Sequence, residues 1–156
     1  MTAYTFIDAL AAFNRKNFNT AFDMFKLLAM SGDASAQLHL GMMYDYGQVE
    51  QDDEKAYKWY RKSAEQENVE AQYFLGMMYA HGQGVEQDDE KAFEWYEKSA
   101  VEGNAAAQYN LATMYANGQG VEENNEEAFE WYMLSAEQGD VDAQLTLGLL
   151  YDTGQG

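Results

Sequence analysis

The sequence contains no cysteine, and that absence removes disulfide bonds, thiolate metal sites, iron–sulfur clusters and cysteine nucleophiles together. Basic residues are scarce. Nine Lys and Arg stand against 27 Asp and Glu, for a formal net charge of −18 and a pI near 4.1. A field of that sign repels phosphate backbones, so nucleic acid is not an expected partner. No apolar run approaches the length that spans a bilayer, and no basic amphipathic segment is present to hold an anionic membrane surface. Residues 1–16 carry Asp8 and lack both a basic start and a long apolar stretch. They do not read as a signal peptide, and a cytoplasmic location is expected. What the chain has in quantity is apolar and aromatic material, 47% and 15% of its 156 residues. That is enough for a folded core in one domain or one short solenoid.

This material recurs at a fixed interval. Ala71-Gln72-Tyr73-Phe74-Leu75-Gly76-Met77-Met78-Tyr79 returns 36 residues later at Ala107 to Tyr115, and again at Ala143 to Tyr151. An earlier copy, Ala36 to Tyr44, is displaced by 35, because Gly47-Gln48-Val49 lacks one glycine of Gly82-Gln83-Gly84-Val85. A second block keeps the same phase: Trp59-Tyr60, Trp95-Tyr96 and Trp131-Tyr132, preceded by Ala56, Ala92 and Ala128. A period of this length marks stacked supersecondary units.

Each block reads as a helix. Ala36, Leu40, Gly41 and Tyr44 share one face at helical spacing, and so do Ala56, Trp59, Tyr60 and Ala64. Gly82 is placed to end the first helix in a left-handed conformation. Asp88 or Asp89 is placed to cap the second, and Gly103-Asn104 and Gly139-Asp140 close one unit and open the next. Every unit is therefore helix, loop, helix, turn. Gly41, Gly76, Ala112 and Gly148 share one mid-helix position. Alanine serves there once, so the position requires a small residue rather than a positive φ. The expected reason is close approach of the Trp and Tyr of the partner helix.

The pattern AQxxLGxxY, then GxGV, then DxxKAxxWYxKSAEQG resembles the Sel1-like repeats, relatives of the tetratricopeptide repeats. The resemblance covers residues 33–156. Ala21, Phe22, Met24, Phe25, Ala29 and Gly32 align more loosely with Ala92, Phe93, Trp95, Tyr96, Ala100 and Gly103. The implied organisation is a single domain, 1–156: an N-terminal capping hairpin at 1–32, repeats at 33–67, 68–103 and 104–139, and the first helix of a fourth at 140–156. The resemblance implies an all-α fold, an α/α solenoid wound as a right-handed superhelix of helical hairpins, with the first helices lining a concave face. It also implies a non-catalytic scaffold, since proteins of this kind often act as bacterial adaptors in signalling, secretion or host interaction. Certain cysteine-rich relatives are associated with penicillin binding, but they carry a disulfide in each repeat and this chain has none.

In a solenoid the core is repeated and the binding surface varies. Opposite the core arc of the first helices lie Leu38, Met42, Asp45 and Tyr46, then Tyr73, Met77, Ala80 and His81. Tyr109, Thr113, Ala116 and Asn117 follow, and last Leu145, Leu149, Asp152 and Thr153. Of these, Leu38, Met42, Tyr46, Tyr73, Met77, His81, Tyr109, Thr113 and Asn117 are the expected partner-binding residues. Their Tyr and Met side chains suit an extended peptide or a partner helix. After Lys98 the chain has no Lys or Arg, and Glu122, Glu123, Glu126, Glu127 and Glu130 make an acidic surface suited to a basic partner. The alternative function is accordingly an immunity or inhibitor protein that neutralises a basic toxin such as a nuclease.

Other motifs carry no chemistry. The Gly-Gln-Gly segments follow no strand and precede acids, unlike phosphate loops, and the acidic runs lack calcium-loop spacing. His39 and His81 occupy different repeat positions without a zinc pattern. Ser63, Ser99 and Ser135 recur in register, as packing residues do. Catalytic, metal and cofactor-binding residues are expected to be absent, and the chain is read as no enzyme. Gly154-Gln155-Gly156 falls in an interhelical loop, which leaves the fourth unit without its Trp-Tyr helix. Self-association through that end is expected.

Overall fold

The structure, a computed structural model, describes residues 4–152, and among them every regular element is a helix. In chain order these are α1 (Phe6–Asn14), α2 (Phe18–Met30), α3 (Ala34–Asp45), α4 (Asp53–Ala64), α5 (Val69–His81), α6 (Asp89–Val101), α7 (Ala105–Asn117), α8 (Asn125–Glu137) and α9 (Val141–Asp152). Each helix packs on the one before and the one after. The result is an all-α solenoid of hairpins. Its core is continuous, running from a cluster around Phe25, through one holding Tyr60, Leu75, Tyr96 and Leu111, to one around Tyr132 and Leu147.

The helix starts follow from short polar side chains. Asp33, Asp52, Asn68, Asp88, Asn104 and Asn124 each accept a hydrogen bond from a backbone N–H of the turn they precede. These bonds satisfy donors that a helix leaves without intrahelical partners. Of the two aspartates open to choice at the start of α6, Asp88 is the cap. Gly82 and Gly118 end α5 and α7 with φ of 65° and 62°, where a side chain would be strained.

The small residue at mid-helix has a specific cause. A Cβ built on Gly41 would lie 2.7 Å from the Tyr60 ring, and one on Gly76 would lie 2.7 Å from Tyr96. The tyrosine alone fills the notch, which corrects the expectation that Trp and Tyr share it. Trp59, Trp95 and Trp131 are half-buried on the flank of the core. Lys62 and Lys98 cover their rings at 4.5 Å from Trp59 and 4.1 Å from Trp95.

Polar side chains bind the units together. The Ser63, Ser99 and Ser135 hydroxyls donate to the carbonyls of Ala34, Val69 and Ala105 at 2.7, 2.8 and 2.8 Å, fastening each second helix to the start of its own first helix. The Gln37, Gln108 and Gln144 amides donate to Ala29, Ala100 and Ala136, the last turns of the preceding second helices. The Gly-Gln-Gly loops dock one unit back: a Cβ on Gly84 would lie 2.1 Å from the Asp53 carbonyl oxygen, and one on Gly120 2.2 Å from that of Asp89. Their glutamines follow suit, Gln83 donating to Asp45 and Asp53, and Gln119 to Asp89.

Candidate interaction face of the first helices

Tyr46, at the end of α3, is 57% exposed. Burial of part of its ring pushes its hydroxyl up, and Asp45, Tyr73 and Glu70 add to that shift, so Tyr46 lies within reach of the start of α5. Tyr73 is half-buried on α5. Burial pushes its hydroxyl up, and hydrogen bonding to the Asn110 side chain of α7 works in the opposite direction. Leu38 of α3, Leu75 of α5 and Leu111 of α7 share one core cluster, with Met42, Tyr73 and Met77 packed against it, so consecutive first helices lie side by side.

The face rests on tyrosines of the second helices. Tyr73 packs on Tyr96 with ring centroids 6.0 Å apart, and Tyr109 packs on Tyr132 at 5.6 Å. Tyr96 and Tyr132 are themselves buried, so they act as a floor that leaves the outer rings partly open. Met42 and Met77 are half-buried beside them, as is Thr113, whose hydroxyl donates to the Tyr109 carbonyl at 3.0 Å and lies 3.1 Å from the Tyr132 hydroxyl. His81 and Asn117 are exposed at the ends of α5 and α7. On α9, Leu145 and Leu149 continue the row and are exposed.

Two positions behave differently from the sequence reading. Leu38 is only 3% exposed and lies in the core cluster with Tyr60 and Leu75, so it offers no surface to a partner. Its neighbours in that cluster cover it, whereas the larger rings at 73 and 109 stay partly open and Leu145, at the same repeat position, is exposed. Asp45 is half-buried and accepts from the Tyr60 hydroxyl and from Gln83 Nε2, both at 3.0 Å. Burial pushes its carboxyl above the usual carboxylate range, and nearby Asp53 adds to the shift. Its role is in joining repeats. Thr153 lies outside the described residues.

The remaining polar groups are arranged structurally. His39 stacks on Phe25 at 5.0 Å and its Nδ1 lies 2.9 Å from the Ser35 carbonyl, while His81 Nδ1 lies 2.9 Å from that of Met77. Glu122, Glu123, Glu126 and Glu130 are exposed and Glu127 is half-buried, at the loop before α8 and on its first half. Among the described residues no cation pairs with them. No helix of the described residues is long and apolar enough to cross a membrane. The glutamine ties between units and the serine ties within them are bonds that the sequence does not specify, although recurrence at one repeat position is the available signal.

A family profile described as Sel1 repeat matches residues 34–68, 69–104, 105–140 and 141–156. Among solved structures, a Sel1 repeat protein from Oxalobacter formigenes is 33% identical over 94% of this chain, with a TM-score of 0.89. A protective antigen of uropathogenic Escherichia coli strains displaying an SLR fold is 41% identical over 85% of this chain, with a TM-score of 0.82. This chain spans 60% of the first protein's length and 29% of the second's. Helicobacter pylori cysteine rich protein B, 22% identical over 76% of this chain and 91% of its own, has a TM-score of 0.61 and shares the fold. No curated protein sequence gives a significant match.

Proposed function

The chain belongs to the Sel1 repeat family, and from that premise we propose that it is an adaptor holding a peptide or helix of a partner protein on its first-helix face. Sel1 repeat proteins are in general protein-interaction scaffolds. The observation that carries the reading is the row Tyr46, Tyr73 and Tyr109, with Met42 and Met77 between, on consecutive first helices. Tyrosine and methionine supply large contact area that adapts to a partner, and few-angle aromatic rings lose little entropy on binding. Tyr96 and Tyr132 fix the rings from below, so the surface is set before a partner arrives.

The test is affinity capture from the source organism with the wild type and the Tyr73→Ala/Tyr109→Ala variant, both checked for helix content by circular dichroism. A partner held by this face is captured by the wild type and lost by the variant. Equal capture by both contradicts the assignment. Retention through a salt rise is expected too, because contacts on these rings are weakly screened, whereas exposed charges separated by more than about 10 Å at 0.1 M salt barely interact.

A further inference from the structure

The junction of the first two full repeats departs from its sister junctions at two positions, and both departures face one pocket. In the sister units the amide of Gln66 donates to Gln37 Oε1 and that of Gln138 donates to Gln108 Oε1, each at 2.7 Å. At the corresponding place the middle unit carries Glu102, whose carboxylate has no proton to donate. Gln72, the counterpart of Gln37 and Gln108, is 6% exposed. Its Oε1 is buried with no hydrogen-bond donor among the described residues. Such an unpaired oxygen is destabilising, because it has lost its bonds to water and gained none in return. The second departure is Glu67, at φ 63°, where Gly103 and Gly139 stand in the other units at φ 94° and 93°. A side chain in that left-handed region is strained.

Gln72, Glu67 and Glu102 line a pocket of about 750 Å³ between the last turns of α4 and α6, together with Trp95, Glu97 and Lys98. Glu67, Glu97 and Glu102 form no ion pair among the described residues, while the neighbouring Glu65 is occupied by Arg61 at 2.8 Å. Lys98 lies 4.1 Å from the Trp95 ring centroid, so the indole already attracts a cation in this place. The pocket thus joins a buried acceptor lacking its donor, an excess of carboxylate and an aromatic face. Two stability costs converge on it.

We propose that this pocket receives an arginine side chain of a protein partner. The guanidinium donates to Gln72 Oε1 from the position that the Gln66 and Gln138 amides hold in the sister units, and its other N–H groups reach the Glu102 carboxylate. Arginine fits better than lysine, because its planar fork carries five donors and lies flat on an indole. A side chain within a polypeptide fits better than free arginine, whose α-carboxylate would enter a pocket already rich in that charge. The pocket shares no residue with the tyrosine row of the first helices, and the two assignments stand independently.

The probe is acetyl-Gly-Arg-Gly-amide, titrated into the ¹⁵N-labelled full chain while the Gln72 side-chain amide and the Trp95 indole N–H are followed by NMR. Saturable shifts at both groups are expected, with the isosteric citrulline peptide and free L-arginine each weaker by about tenfold or more. Glu102→Gln supplies the missing amide. It is expected to raise the thermal midpoint and abolish the titration, a pair of effects that misfolding does not produce. Glu67→Gly is expected to retain the fold and weaken the peptide. Absence of saturable shifts in the wild type, equal binding of the citrulline peptide or of free arginine, or undiminished binding by Glu102→Gln would each overturn the proposal.

Discussion

At position 76 a missing side chain decides how two helices pack. The Tyr96 ring lies where a Cβ on Gly76 would be 2.7 Å away, so any larger residue must displace that ring or the helix that carries it. Gly76→Leu is expected to cost about 1–3 kcal/mol by overpacking, read as a fall in the thermal midpoint; an unchanged midpoint contradicts the notch. The need for a small residue was legible, because Ala112 replaces glycine once. Which aromatic fills the space was not, since adjacent Trp and Tyr differ by only about 100° around a helix. Burial of Leu38 was hidden for a related reason. Repeat position gives direction, but the neighbours that cover a side chain decide whether direction becomes exposure, as buried Leu38 and exposed Leu145 show at one position.

Asp45 supplies a pH prediction at the same scale. Burial raises its carboxyl above the ordinary range, against the lowering effect of the Tyr60 hydroxyl. An acid with a raised folded value binds its proton more readily in the native state. Its contribution to stability is therefore lost as pH rises through that value and recovered as pH falls. Asp45→Asn removes the buried charge and keeps an acceptor for Tyr60. The variant is expected to be more stable than the wild type at pH 7, with the difference shrinking toward pH values below about 4, the carboxylate's unfolded value. A thermal-melt difference that is constant across this range would show that the buried charge is not the cause.

At the scale of elements, the sequence announced helix ends more clearly than helix contacts. Asp, Asn and Gly at unit boundaries have local effects on the adjacent turn, so the unit boundary at Gly103-Asn104 and the stop at Gly82 could be read directly, whereas the choice of Asp88 over Asp89 as a cap needed the structure. The ties between helices depend on distance across the fold. Ser99 was recognised as a recurring packing residue, but its hydrogen bond to the Val69 carbonyl required the structure. Ser99→Ala is expected to cost about 1 kcal/mol, measured by denaturant unfolding. The loop glycine is more sensitive. Gly84 combines φ of 67° with a Cβ position 2.1 Å from the Asp53 carbonyl, so Gly84→Ala both strains its own backbone and lifts the loop off α4. A loss of about 2 kcal/mol or more is expected, and a neutral result would mean that the loop does not dock there.

The whole molecule behaves as a line of coupled units, each held by its neighbours. In α5 the buried set is Ala71, Gln72, Leu75, Gly76, Met78 and Tyr79, whereas α9 buries Ala143 and Leu147. Gly148, the notch of α9, has nothing within 4 Å of its Cβ position. Amide exchange is therefore expected to be slowest in α5 and markedly faster in α9; uniform protection would argue for all-or-none unfolding. Period and phase made the array legible from sequence because one set of contacts recurs. The singular features, Leu38 inside the core and Gln72 without its donor, were hidden because they are places where one unit differs from the rest.

The most direct test of the interaction face is oxidative footprinting of the chain with and without its captured partner, read by mass spectrometry. Protection of Met42, Met77, Tyr46, Tyr73 and Tyr109, with Met30 on α2 oxidised equally in both states, is the result predicted for a ligand seated along the first helices. Protection of Met30 or Trp59 on the second helices, with the tyrosine row unchanged, would contradict it.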